Sequence, residues 1–203
     1  MRRIAIRSLT TAAIAAMLVV VLPAQAPQPV QSLFDAGQYQ QVVDMTPADA
    51  PAPAVFLAGQ SQQKLGNTAG AAALYATLAA RPETDPWHGV GLAATALMQG
   101  NLDAALAAAQ AAVNTDGALP EAHFQLGLVQ ARRQEWPAAA AAFDRVTQLA
   151  PMLAYAYYYG GLMHYRANRP DRMASHFETF LRLAPQAPER PEVLQIMRTI
   201  RGR

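Results

Sequence analysis

Cysteine is absent from the 203-residue sequence. That absence excludes a disulfide, an iron–sulfur cluster, a thiolate zinc site, a cysteine nucleophile and an N-terminal lipid on cysteine. Aromatic residues are scarce at 7% and charged residues at 15%, so the 52% apolar share rests on small side chains, 45 of them alanine. Such a composition favours helices that pack closely together. The length leaves no room for two large catalytic domains. Long apolar runs are also rare, and the one from Leu9 to Leu22 is too short for a comfortable membrane span. It follows Arg2, Arg3 and Arg7 and precedes the small-residue stretch Pro23-Ala24-Gln25-Ala26, the three regions of a secretory signal. Residues 1–26 are therefore expected to be a signal peptide that sends the protein to the periplasm or otherwise out of the cytoplasm. Cleavage is expected after Ala26 or Ala24, with an uncleaved N-terminal anchor touching the membrane as the alternative. The formal charge of +2 depends on those three arginines: beyond residue 26, 13 basic side chains face 14 acidic ones. Nothing in that balance points to nucleic acid.

What the sequence does contain is a repeat. Pro151 and Pro185 lie 34 residues apart and end the similar phrases FDRVTQLAP and FETFLRLAP. Windows of that length run backwards without insertion as 154–187, 120–153, 86–119 and 52–85. A small residue recurs at Gly59, Ala93, Gly127 and Gly161, and a second at Ala71, Ala105 and Ala139, with Met173 departing in the last window. Large side chains recur at Tyr75, Phe143 and Phe177, with Ala109 as the exception. Small residues at fixed places let two antiparallel helices approach closely, and the large ones fill the space that remains. Turn signals divide the windows at Gly66-Asn67, Gly100-Asn101 and Asn168-Arg169-Pro170, while Pro137 and Pro170 suit the first turn of a second helix.

These residues resemble the tetratricopeptide repeat, a 34-residue helix–turn–helix unit. The third window carries the resemblance best, through Leu126-Gly127, Ala139, Phe143 and Pro151, and the fourth agrees at Tyr157, Gly161, Phe177 and Pro185. The resemblance covers residues 52–187 and implies an all-α, right-handed solenoid of antiparallel helix pairs. Two flanks complete it. Residues 27–51 read as a partial N-terminal repeat and a proline-rich linker, with Ala36-Gly37-Gln38-Tyr39 as its turn and residues 27–30 expected to be disordered. Residues 188–203 read as a C-terminal capping helix that places Val193, Leu194, Met197 and Ile200 on one stripe.

Chemistry finds no foothold in this sequence. His88, His123, His164 and His176 show no metal-ligand spacing, and His164 sits where the family has a packing aromatic. Ser61 lies in GQSQQ, without the second glycine of a nucleophile elbow, and Gly160-Gly161 is followed by no lysine. No catalytic residue, cofactor or metal is expected, and the chain reads as a non-enzyme.

The resemblance places a binding surface on the concave groove formed by the first helix of each repeat. By register, that wall is Phe56, Gln60, Gln63 and Lys64 in the first window and Trp87, Val90, Ala94, Leu97 and Met98 in the second. The third window adds Glu121, Phe124, Leu128 and Arg132, and the fourth adds Tyr155, Tyr158, Leu162, Tyr165 and Arg166. Apolar and aromatic residues dominate it. It suits a protein or peptide of the cell envelope with hydrophobic anchors better than the family's carboxylate-clamp mode, which needs lysines and asparagines. Such a chain serves as an adaptor, scaffold or assembly factor; a soluble carrier of a lipid or small amphiphile in the same groove is the alternative, and self-association stays open. Tyr157 and Tyr159 suit packing between helices as well as binding. Charge is uneven: residues 27–119 carry two basic and seven acidic side chains, and 120–203 carry eleven and seven. The positive half suits an acidic partner, anionic lipid or the negative half of another copy.

Overall fold

A computed structural model describes residues 30–201, and the signal-peptide reading of 1–26 lies outside them. The described residues form eleven helices and no strand: α1 Val30–Asp35, α2 Tyr39–Asp44, α3 Ala52–Lys64, α4 Thr68–Ala79, α5 Pro86–Met98, α6 Leu102–Thr115, α7 Pro120–Arg132, α8 Trp136–Leu149, α9 Ala154–Arg166, α10 Pro170–Leu183 and α11 Arg190–Arg201. Consecutive helices pack on one another from α2 to α10, and α11 packs on α10. This is an all-α solenoid of antiparallel helix pairs with a C-terminal capping helix. Val30, expected to be disordered with residues 27–29, instead opens α1, and 27–29 lie outside the described residues. None of the described helices is long and apolar enough to cross a membrane.

Local sequence explains the helix boundaries. Prolines occupy the first turn of α3, α5, α7, α8 and α10, where a missing N–H leaves no intrahelical bond unmade. Asn67 and Asn101 cap α4 and α6 by accepting the Gly70 and Ala104 N–H groups at 3.0 and 3.2 Å. The turn inside each pair passes through one left-handed residue: Gly66 (φ +77°), Gly100 (+75°), Gln134 (63°) and Asn168 (55°). The same 34-residue register therefore fixes backbone conformation as well as packing. Gln134 carries no turn signature of its own and adopts this conformation because the register requires it there.

Packing inside the pairs follows a rule of complementary size. A Cβ added to Gly59, Gly127 or Gly161 would lie 2.4, 2.9 or 2.5 Å from the ring of Tyr75, Phe143 or Phe177, sixteen residues further on. In the second pair both partners are small, and Ala93 and Ala109 join Ala105 and Val129 in a minor core separate from the main one. The Ala109 exception in the sequence is thus matched by Ala93, which carries the methyl that its three counterparts lack. In the C-terminal helix Val193 and Met197 are buried, and at the N-terminus Leu33, Phe34 and Val42 are buried. Both flanks therefore cover ends of the stack.

Replacing Gln134 by glycine removes the left-handed strain on a residue with a Cβ, worth about 1–2 kcal/mol, and loses part of that to the greater freedom of the unfolded chain. The expected outcome is a net stabilisation of about 0.5–1 kcal/mol, read as a higher urea midpoint with an unchanged slope.

Candidate protein-binding groove

The wall that the register assigns to the groove is only partly open. Gln63, Arg132, Tyr165 and Arg166 are exposed, and Gln60, Leu97, Leu128 and Leu162 are half-buried. Phe56, Trp87, Val90, Phe124, Tyr155 and Tyr158 are buried, Val90 completely. The expectation that these six present a free face is corrected here, and the reason is curvature. Helices α3 and α7 come close enough for Phe56 to meet Phe124 edge-on, with ring centroids 6.4 Å apart, and Trp87 packs on Phe56 at 6.0 Å. Phe124 in turn meets Phe143 and Tyr159 at 5.5 and 5.6 Å. The inner wall thus belongs to the main core.

The two flanks close that core. Phe34 of α1 packs edge-on against Tyr155 of α9 at 5.0 Å. The Tyr155 hydroxyl donates to Glu189 Oε2 at 2.6 Å and lies 3.2 Å from the Tyr39 hydroxyl. Glu189, just before α11, also takes the Lys64 ammonium on Oε1 at 2.6 Å, joining positions 125 residues apart. Lys64 lies over the Tyr155 ring, 5.4 Å from its centroid. Tyr158 donates to Glu192 at 3.0 Å. Burial first, then the Glu189 carboxylate, pushes the Tyr155 phenol well above its ordinary range, so it remains a donor. The capping helix therefore does more than cover α10: its leading carboxylates reach over the inner wall. The sequence reading missed Glu189 and Glu192 because their partners belong to helices far away in the chain.

Between these contacts the groove persists as two adjoining cavities that share Phe34, Gln60, Phe124 and Tyr155. The first, of about 260 Å³, lies among α1, α3, α7 and the start of α9 and includes Phe56, Leu57 and Glu121. The second, of about 530 Å³, extends along α3, α5, α7 and α9 with Leu97, Leu128, Leu162, Arg132 and Arg166 in its wall. Trp87, Val90, Tyr158 and Tyr165 line neither. Trp136, absent from the sequence assignment, also lines the second cavity and takes the Arg166 guanidinium 5.7 Å from its ring centroid. Burial raises the Glu121 carboxyl above the usual carboxylate range, although its own backbone N–H works the other way.

The histidines fall elsewhere. His88 and His123 each set a ring nitrogen against a backbone carbonyl, Ala79 at 2.7 Å and Gly117 at 3.0 Å. His164 of α9 and His176 of α10 converge on one carboxylate oxygen, Asp144 Oδ1 of α8, with Nε2 at 2.9 and 3.0 Å. Arg172 approaches the other oxygen at 3.4 Å. No spacing in the sequence announced this cluster, the one group of metal-ligand type found among the described residues. Both Nδ1 atoms are buried without a partner, so neither ring has the outer hydrogen bond that orients a metal-bound imidazole. The cluster therefore reads as a polar joint among three helices. Ser61 is buried, and its hydroxyl donates to the Leu57 carbonyl at 2.9 Å.

Two measurements test these networks. Glu189→Ala takes an acceptor from both Lys64 and Tyr155; the expected loss of stability is about 1–3 kcal/mol, with faster amide exchange in α1. Burial lowers the His164 pKa and outweighs the attraction of Asp144, so the folded chain refuses a proton that the unfolded chain accepts near pH 6.5. Its contribution to stability is therefore lost as pH falls below that value. An NMR titration should place the His164 midpoint below the ordinary histidine value; a midpoint above it would show that the shared carboxylate dominates.

Comparison with known proteins agrees with this architecture. Residues 54–84 match the model of the tetratricopeptide repeat. No curated protein matches the chain. Among solved structures it is similar to TTC0263, a thermophilic TPR protein of Thermus thermophilus, at 19% identity over 81% of this chain and 87% of that one, with a TM-score of 0.55. It is also similar to the Cut9–Hcn1 hetero-tetramer of the APC/C, at 16% identity over 83% of this chain and 34% of that one, with a TM-score of 0.57. A third similar structure is MamA, at 20% identity over 73% and 85% of the two chains and a TM-score of 0.50. The matching model places a tetratricopeptide repeat on the first complete helix pair, and the chain shares the fold of these solved structures.

Proposed function

We propose that this chain is a non-catalytic interaction module of the cell envelope that binds a segment of a partner polypeptide in the open part of its concave groove. The observation that carries the reading is the second cavity. Its wall combines half-buried Leu97, Leu128 and Leu162 with exposed Arg132 and Arg166, whose guanidinium groups have no carboxylate partner among the described residues. A half-exposed apolar surface with cations at its rim suits side-chain anchors flanked by polar contacts. An envelope address follows from Arg2, Arg3 and Arg7 ahead of the Leu9–Leu22 run. The reading of the chain as a non-enzyme draws support from Ser61, whose hydroxyl is engaged by a backbone carbonyl.

Binding is tested at the residues that stay accessible. Alanine at Phe124 or Tyr158 would remove core rings and cost about 3–5 kcal/mol, confounding folding with recognition. Leu128→Arg and Leu162→Arg instead place charge on a half-buried surface. With a photo-crosslinker at Leu97 in intact cells, wild type is expected to trap a stoichiometric polypeptide. Each Leu→Arg change should remove that product while helical content is kept. An undiminished product from both variants would sink the groove reading, and lipid that co-purifies in place of a polypeptide would favour the carrier.

A further inference from the structure

The groove has opposite electrical ends, and one helix carries a charge at each. Glu121 stands in the first turn of α7 and lines the first cavity; Arg132 is the last residue of α7 and lines the second. Eleven residues of α-helix separate them by about 16 Å. Around Glu121 the cavity wall is apolar and aromatic, with Phe34, Phe56, Phe124 and Tyr155. The Glu121 carboxylate is half-buried and has no cationic side chain within ion-pair distance among the described residues. Desolvating an unpaired carboxylate is unfavourable, and a cation entering that cavity relieves it. Aromatic side chains are also the apolar neighbours that an ammonium or guanidinium group tolerates best at short range. The cavity, at about 260 Å³, holds one long side chain and no more of a folded partner. At the other end the situation reverses, with Arg132 and Arg166 exposed and without an ion-pair partner among the described residues, beside a single carboxylate, Glu192, in the same wall. The floor between the two ends is Phe124 and Leu128.

Resting on the reading of the groove as a polypeptide site, we propose that it selects a segment with a lysine at the Glu121 end, an acidic residue at the Arg132–Arg166 end, and apolar side chains between. At the rise of an extended chain the two charges stand about five residues apart; in a helical segment they stand about eleven apart. The orientation follows from the receptor: a segment laid the other way sets lysine against Arg132 and its acid against Glu121. Glu189 is neutralised by Lys64, whereas Glu192, which also lines the second cavity and accepts from the neutral Tyr158 hydroxyl, keeps its charge; Arg132 and Arg166 outnumber it there, so the net sign at that end is positive.

The test is a random twelve-residue peptide library selected on the full chain, alongside Leu128→Arg as the blocked-groove control. Sequences enriched on wild type are expected to pair Lys with Asp or Glu at one of the two spacings, around apolar positions. The consensus peptide, synthesised with a fluorophore, should bind Glu121→Gln about tenfold more weakly. Its lysine-to-norleucine analogue should lose the same factor on wild type and nothing further on Glu121→Gln. Peptides sharing apolar anchors without a charge pair, or an unchanged affinity for Glu121→Gln, would overturn the charge assignment and leave groove binding standing. No enrichment above the Leu128→Arg control would overturn both.

Discussion

A single phenol holds the two ends of this solenoid together. Tyr155 lies in the first helix of the fourth repeat, yet it touches Phe34 from the N-terminal pair, Phe180 from its own repeat and Glu189 from the C-terminal flank. Lys64, at the end of the first repeat's first helix, completes the contact through Glu189. An open tetratricopeptide array interacts mainly between neighbouring repeats, so its stability adds up locally. Here the ends are also coupled across more than a hundred residues, and loosening one exposes the ring face of the other. The open groove is what this closure leaves uncovered.

The cadence that builds the stack was legible, because every repeat uses the same pair of positions for the same purpose. Gly59, Gly127 and Gly161 each make room for a ring sixteen residues later, and the second repeat replaces both members with alanine. Register also explains the left-handed turn at Gln134, a residue that no turn rule selects. What periodicity cannot convey is the degree of curl. It assigns Val90, Phe124 and Tyr158 to the inner side of their helices, but whether that side faces water depends on how closely α3, α7 and α9 meet across the concavity. That depends on contacts between different repeats, from Phe56 with Trp87, 31 positions apart, to Phe56 with Phe124, 68 apart. The exposed members, Gln63, Arg132, Tyr165 and Arg166, lie toward the C-terminal ends of their helices. The long-range carboxylates Glu189 and Glu192 leave no local signature at all.

The fourth repeat shows how a departure from a family pattern acquires a physical cause. Gly160 stands beside the expected Gly161, and a Cβ there would lie 2.5 Å from His176 Nδ1. The extra glycine makes room for the imidazole, whose other nitrogen reaches Asp144 together with His164. Burial alone would raise the Asp144 carboxyl, but the donors from His176 and His164 outweigh it and hold it below the usual carboxylate range. Three departures that look unrelated along the chain, at positions 160, 164 and 176, are therefore one compensated arrangement. Its polar character fixes how α8, α9 and α10 meet, since an apolar joint would tolerate a slip that leaves Asp144 unpaired.

Net charge along the chain and charge within the groove also differ in kind. The segment 120–203 is basic on balance, yet its first charged residue, Glu121, supplies the acidic end of the groove. Arg133, next to a groove arginine, turns instead to Asp103 and Glu135. Halves of a sequence thus predict the far field that a partner meets on approach, which salt screens within about 10 Å. The near field inside the groove belongs to the few charges left without an intramolecular partner. Of the basic residues nearest to it, Lys64 is neutralised by Glu189, Arg133 by its two acids, and Arg132 and Arg166 remain. Under the proposed reading, recognition in the groove is set by these unpaired charges, because a paired one has already offered its hydrogen bonds to its own chain.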